Sequence, residues 1–321
     1  MLGRRYFLQA SLVCSVFYAG KIWSQPKFRR VGILTITDIQ TWFYPFYETL
    51  KKEGWIEGQN LTYEFRHANG DPRRFAEPLA ELVRTKPDVI FAVGPPAVRA
   101  AFASIKDIPI VAHDLESDPV VSGYAKSYAR PGGNLTGIFL DSPDLAGKWV
   151  EILKSIVPRL SRATVLWDST SGPIPLQSVK SVAPHFGVKL QVLEIHNPEE
   201  IDSIPRALRN RPQALIILPS PMMYVESKRL AEMAKKLRLP AASMFRPFAE
   251  NGGLLAFGPR MPDTAKRCGA LVAKILRGEK PGDIPIERPD YFEYVVNDRA
   301  AEALGFRLPD SVLLRADEVL R

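Results

Sequence analysis

The sequence predicts an α/β protein built as two doubly wound parallel-sheet lobes, and three observations carry that expectation. Short unbroken apolar runs of strand length alternate with segments apolar at i, i+3, i+4 and i+7. The alternation pauses at the Gly/Pro-rich stretch 130–134 and then begins again. At 321 residues the chain is long enough for two ordinary domains.

In the first half, 31–36 is an apolar-rich run, as in a parallel strand covered on both faces. Phe43, Phe46, Tyr47 and Leu50 then mark a helix stopped by Gly54. Residues 61–66 form a second strand, and Phe75, Leu79, Leu82 and Val83 a helix closed by Pro87. A strand at 89–93, a helix at 96–104 and a strand at 109–112 complete a βαβαβαβ order. In the second half, Trp149, Ile152, Leu153 and Ile156 give a helix and 163–167 a strand. A helix over 177–186, a strand over 189–195, a helix over 199–210 and a strand over 214–218 follow, then a helix through Leu230, Met233, Ala234 and Leu237.

Lys and Arg total 43 against 35 Asp and Glu, a net charge of +8. Three of the positive charges (Arg4, Arg5 and Lys21) lie in the first 24 residues, which hold no acid, and without them the excess is five. The basic residues form no run longer than three, so no nucleic-acid partner is expected. Met1 to Leu8 followed by an apolar run to Ala19 has the layout of an export signal ending near residue 26. Arg4-Arg5-Tyr6-Phe7-Leu8 is similar to the twin-arginine motif. The apolar run of about 12 residues is shorter than the about 20 that span a bilayer. Removal of that segment would take Cys14 with it, leaving Cys268, which falls at helical spacing with Leu271, Val272 and Ile275 and reads as core packing.

Enzyme signatures are missing. There is no Gly-x-Gly-x-x-Gly, Walker A loop, Gly-x-Ser-x-Gly or His-x-x-x-His, and the four histidines show no metal-ligand spacing. No catalytic residue, metal or cofactor is therefore expected. What remains are polar, turn-forming residues at the carboxyl ends of the predicted strands, where open α/β sheets bind ligands. In the first half these are Thr35, Thr37 and Asp38 with Trp42 nearby, Gly94 and Pro95, and Asp114 beside His113. In the second half they are Asp168 and Ser169, Ser220, and Arg246. Thr37-Asp38 also suits a helix cap, the tryptophans suit core packing, and Arg246 suits a carboxylate clamp.

Several stretches carry a family resemblance. Asp118-Pro119-Val120-Val121-Ser122-Gly123 and Arg130-Pro131-Gly132-Gly133-Asn134-Leu135-Thr136-Gly137 resemble the segment joining the lobes in ABC-transporter substrate-binding proteins of the tryptophan/tyrosine type. Phe245-Arg246-Pro247-Phe248-Ala249-Glu250-Asn251-Gly252-Gly253-Leu254 is similar to the same family, as is the end of the chain from Ala303 to Val319. The resemblance implies a type I periplasmic-binding fold whose chain crosses between lobes three times. It places 28–137 with 258–283 in the first lobe and 138–257 with 284–321 in the second. It also implies a function: extracytoplasmic capture of a small-molecule ligand by clamshell closure, and delivery to a membrane permease driven by a cytoplasmic ATPase. Where members often carry Gly-Thr-Pro-Ala, this chain has Gly94-Pro95-Pro96-Ala97, so the hydroxyl available there for a ligand carboxylate is missing. An exported sensory module and an exported enzyme on a similar scaffold are the alternatives.

Overall fold

The structure is a computed structural model and describes residues 28–39, 43–140, 143–209 and 211–321. The expected export segment 1–26 and Trp42 lie outside the described residues.

The first sheet has strands β1 (Arg29–Thr35), β2 (Leu61–His67), β3 (Val89–Val93), β4 (Ile110–Asp114) and β5 (Leu135–Phe139), in the order β2-β1-β3-β4-β5 and parallel throughout. Its helices are α1 (Tyr44–Lys52), α2 (Ala76–Arg84) and α3 (Pro95–Ser104). Phe43 and Phe46 from the α1 side pack onto Phe91, the Phe46 and Phe91 rings stacked 4.5 Å apart, while Leu79, Leu82, Ala97 and Val98 cover the opposite face. β3 and β4 therefore bury both faces, which explains why they carry apolar residues at nearly every position.

The chain then leaves for the second lobe through α4 (Pro143–Ile156). The elements there are β6 (Arg162–Asp168), α5 (Ile174–Val182), β7 (Lys189–Ile195), α6 (Ile204–Ala207), β8 (Ala214–Ile217), α7 (Pro221–Val225), α8 (Ser227–Lys236), β9 (Ala241–Ser243), α9 (Arg246–Glu250) and β10 (Leu255–Pro259). It returns to the first lobe as α10 (Met261–Leu276), which packs along α1 and against β4 and β5. A third crossing leads to β11 (Phe292–Asn297), α11 (Asp298–Ala303), α12 (Asp310–Leu313) and β12 (Glu318–Leu320). The second sheet runs β12-β11-β10-β9-β8-β6-β7. The β10–β11 pair is antiparallel and the rest are parallel. The two-lobed α/β architecture with three crossings is thus the one expected. The antiparallel join arises because β11 enters its sheet from the side of the first lobe.

Two helices differ from the periodicity reading. The segment 177–186 is α-helical only to Val182 and continues as a 3-10 turn, Ala183–Phe186, because Pro184 cannot donate to the preceding turn. The expected helix over 199–210 is likewise a 3-10 segment, Pro198–Ser203, followed by the single-turn α6 with Pro205 at its start, and Asn210 lies outside the described residues. Cys268 is fully buried in α10, and burial pushes its thiol well up, as suits a packing residue. Among the described residues no helix is long and apolar enough to cross a membrane.

Candidate functional site

Because β1 to β5 are parallel, their carboxyl ends share one edge, and those of β6 to β10 share another. The two edges meet. Gly94, just past β3, has φ of +84° and packs its Cα face directly on Pro221 at the start of α7. A Cβ at Gly94 would lie 2.5 Å from Pro221 Cγ. The Arg99 guanidinium on α3 reaches 3.4 Å to the Thr170 carbonyl in the second lobe. These are contacts of closed lobes.

Between the edges lies a cavity of about 40 Å³. Gly94, His113, Leu115, Glu116 and Met261 line it from one lobe and Pro221, Tyr224 and Phe245 from the other. A smaller hollow of about 10 Å³ adjoins it past Leu115 and Glu116, walled by Trp149 and Pro175. Tyr224 and Phe245 stand edge to face with centroids 5.1 Å apart, an aromatic wall on the second lobe. The volume is enough for a water or two and too small for an organic solute. A solute enters only if the lobes swing apart.

Three hollows of about 450 Å³ are larger but differently placed. One, lined by Lys235, Leu239, Gly253 and Leu254, and another, lined by Arg162, Lys189 and Gln191, open at the amino ends of second-lobe strands and involve one lobe only. The third joins 69–73 of the first lobe to Thr170 and 196–199 of the second, at the carboxyl ends of edge strands β2 and β7. It is the outer mouth of the cleft.

The polar chemistry of the cleft is acidic. Asp114, Glu116 and Asp168 are 0, 5 and 2% exposed. The Asp114 carboxylate accepts from the Glu116 amide at 3.1 Å, and its other oxygen has no hydrogen-bond partner among the described residues. Burial raises its pKa to about 6 against the pull of hydrogen bonds from Glu116 and Ser117 and of the Arg99 charge. Glu116 accepts from the Leu115 amide at 3.1 Å, and burial, then the charges of Asp114 and Asp168, push its carboxyl well above the usual range. His113 is pushed down to about 4 by burial, with Nε2 2.9 Å from Thr264 Oγ1. Burial raises the Tyr224 hydroxyl to about 12.

The sequence-predicted residues separate into groups. Gly94 lines the cavity, and Asp114 and Asp168 supply buried negative charge around it. Pro95 is buried as the first residue of α3. Thr35 is buried and donates to the Thr37 carbonyl at 2.6 Å, so it holds the turn after β1; Asp38 is exposed and Thr37 half-buried. Asp168 also caps the following 3-10 turn through Thr170 N and Oγ1, at 2.9 and 2.6 Å. Ser169 lies 3.4 Å from His196 Nδ1 near the mouth. Ser220 is fully buried and caps α7 through Met223 N.

Arg246 is committed within its own lobe, to Glu250 at 2.7 Å, Glu318 at 2.8 Å and Glu293 at 3.4 Å. Its replacement by alanine should lower stability by about 1–2 kcal/mol, since three carboxylates lose their cation on a partly screened surface. Solute affinity should stay within about twofold, because 1.4 kcal/mol corresponds to tenfold and Arg246 does not touch the cavity. Thermal melting and titration calorimetry of the variant check both parts.

Sequence reasoning missed Glu116, Tyr224 and Met261. Glu116 follows the strand end His113-Asp114 by two residues, and Tyr224 lies one helical turn after Ser220. Extending the strand-end rule by one turn finds both. Met261 comes from the returning chain, which only the fold places.

Comparison with known proteins places these features in a family. A tyrosine-binding protein of Clostridioides difficile is 24% identical over 265 residues, 82% of this chain and 76% of that protein. A conserved domain protein of Vibrio cholerae aligns with a TM-score of 0.85 at 24% identity, over 91% of this chain and all of that one. The ABC domain of a pneumococcal Streptococcus in complex with L-Trp aligns with a TM-score of 0.83 at 22% identity, over 92% of this chain and all of that one. Residues 41–320 match the family described as ABC transporter substrate binding protein, and the chain belongs to it.

Proposed function

We propose that this protein captures a small organic solute with an apolar or aromatic body between its two lobes and presents it to a membrane permease driven by a cytoplasmic ATPase. Capture takes place outside the cytoplasm, after export directed by residues 1–26. The lobes are 28–137 with 258–283 and 138–257 with 284–321; the first division falls within β5 and the second within β10, the strands from which the chain crosses. The observation that carries this reading is the cavity lined by strand ends of both lobes, with Gly94 seated on Pro221. The tyrosine-binding relative and the L-Trp-bound neighbour support a ligand of amino-acid size.

The energetics suit a hinged clamshell. Shifting an equilibrium from 1:99 to 99:1 takes about 5.5 kcal/mol, and a micromolar ligand supplies about 8. Closure needs no covalent chemistry. A thermal-shift screen of the purified protein against amino acids, amines, purines, sugars and small carboxylates tests the proposal. A ligand at 100 times its dissociation constant adds about 2.7 kcal/mol, a rise of roughly 4–8 °C at this chain length. A selective rise is expected; a folded protein that no solute shifts would contradict solute capture.

A further inference from the structure

The lining of the cavity goes further than a ligand of small size, because it holds no cationic side chain for an anion. No lysine or arginine lines the cavity or its small neighbour among the described residues, and Arg73 at the outer mouth pairs with Asp71 at 2.8 Å. Arg246 is committed to three carboxylates, and Arg260 pairs with Asp263 and lies over the Tyr291 ring. Arg99 is exposed on α3 and reaches the Thr170 carbonyl.

Helix amino termini are the other common anion holders, through free backbone N–H groups. Four helices present a cap or first residue to the larger cavity: α3, α7, α9 and α10. All four carry proline at the first or second helical position: Pro95 and Pro96, Pro221, Pro247 and Pro262. Each proline removes one of the donors an anion would use. Several neighbouring amides are spent inside the protein. Gly94 N donates to the His113 carbonyl, Met223 N to Ser220 Oγ, Phe245 N to Ser243 Oγ, and Asp263 N and Thr264 N to the Arg260 carbonyl.

Against this stands a carboxylate. Glu116 lines both hollows at 5% exposure, its carboxylate accepting from the Leu115 amide, with the buried charges of Asp114 and Asp168 adding to the field. Among the described residues no three His, Cys, Asp or Glu side chains are grouped to hold a metal ion, so the acidic lining fits an organic cation. Tyr224 and Phe245 offer π faces beside it.

We infer that the solute is an organic monocation, an amine with an apolar or aromatic body and no carboxylate beside the ammonium, and that Glu116 is its counter-ion. This rests on the capture proposed above and narrows it. A zwitterionic amino acid would bring a carboxylate into a cleft lined by no lysine or arginine to pair it, and an unpaired buried charge is strongly unfavourable.

The test is calorimetric titration of the purified protein at pH 7 with matched sets: tryptamine, L-tryptophan and indole-3-propionate, then tyramine, L-tyrosine and 3-(4-hydroxyphenyl)propionate. The amine of at least one set should bind at least tenfold more tightly than its amino acid, with the acid silent at millimolar concentration. Glu116→Gln should weaken that amine at least tenfold while remaining folded. An amino acid binding as tightly as its amine would overturn the inference and leave solute capture standing. So would a sugar, purine or carboxylate from the wider screen binding where no amine does. Loss of no affinity in Glu116→Gln would remove Glu116 as the counter-ion. A folded protein binding nothing in either experiment would overturn both readings.

Discussion

Gly94→Ala should hold the lobes apart and weaken solute binding by about 100-fold, equivalent to about 2.8 kcal/mol. The added Cβ would meet Pro221 Cγ at 2.5 Å, and that proline is the rigid start of a helix on the opposite lobe, so neither side yields cheaply. Backbone strain acts as well, since φ is +84° and an L side chain there costs about 1–2 kcal/mol. The two effects separate by comparison. Gly54 has φ of +87° with nothing within 4 Å of its would-be Cβ, so Gly54→Ala carries the strain without the wedge. Both variants should melt a few degrees early, and Gly94→Ala alone should lose affinity. Equal affinity in the two variants would show that closure does not bring Gly94 against Pro221.

Opposite pH responses are expected from the free protein and from ligand binding. Glu116 is an acid whose folded pKa is raised, so its contribution to the closed form is fully present below its ordinary value near 4.5 and is lost as pH rises through the raised value. Asp114 acts in the same direction between about 4 and 6. His113 acts in the opposite direction: its pKa is lowered, so its contribution is present above about 6.5 and lost as pH falls through about 4. Asp168, the Arg99 charge and the Tyr224 hydroxyl complete the groups around the cleft. The difference between wild type and Glu116→Gln isolates Glu116. The variant should melt above the wild type at pH 8, by about 1.5–3 °C for each kcal/mol of burial penalty removed, and equal it near pH 4.5. Amine affinity should instead rise with pH, by up to tenfold per unit while Glu116 is still protonated. Parallel pH trends in melting and affinity would contradict the pairing.

Strands were legible where burial on both faces leaves a continuous apolar run, as at 89–93 and 214–218. The strand-end rule then led to Gly94, Asp114 and Asp168 because parallel strands present the same end to the cleft. It did less well where a residue's role depends on distant chain. Arg246 looks like a clamp until β11 and β12 bring Glu293 and Glu318 to it from 47 and 72 positions away. Met261 reaches the cavity only through the second crossing, and Asp168 adds its charge to that of Asp114 on Glu116 only by arriving from the other lobe. Thr35 and Ser220 show a further limit: a buried hydroxyl at a strand end serves the local backbone as readily as a ligand.

Hydrogen–deuterium exchange with and without the solute found by the screen tests the central claim most directly. Solute should slow exchange at strand ends of both lobes together, around 93–98 and 113–117 in one and 168–171 and 220–225 in the other, leaving 250–254 and 189–191 unchanged. Protection confined to one lobe, or centred on the hollows at the amino ends of the second-lobe strands, would contradict it.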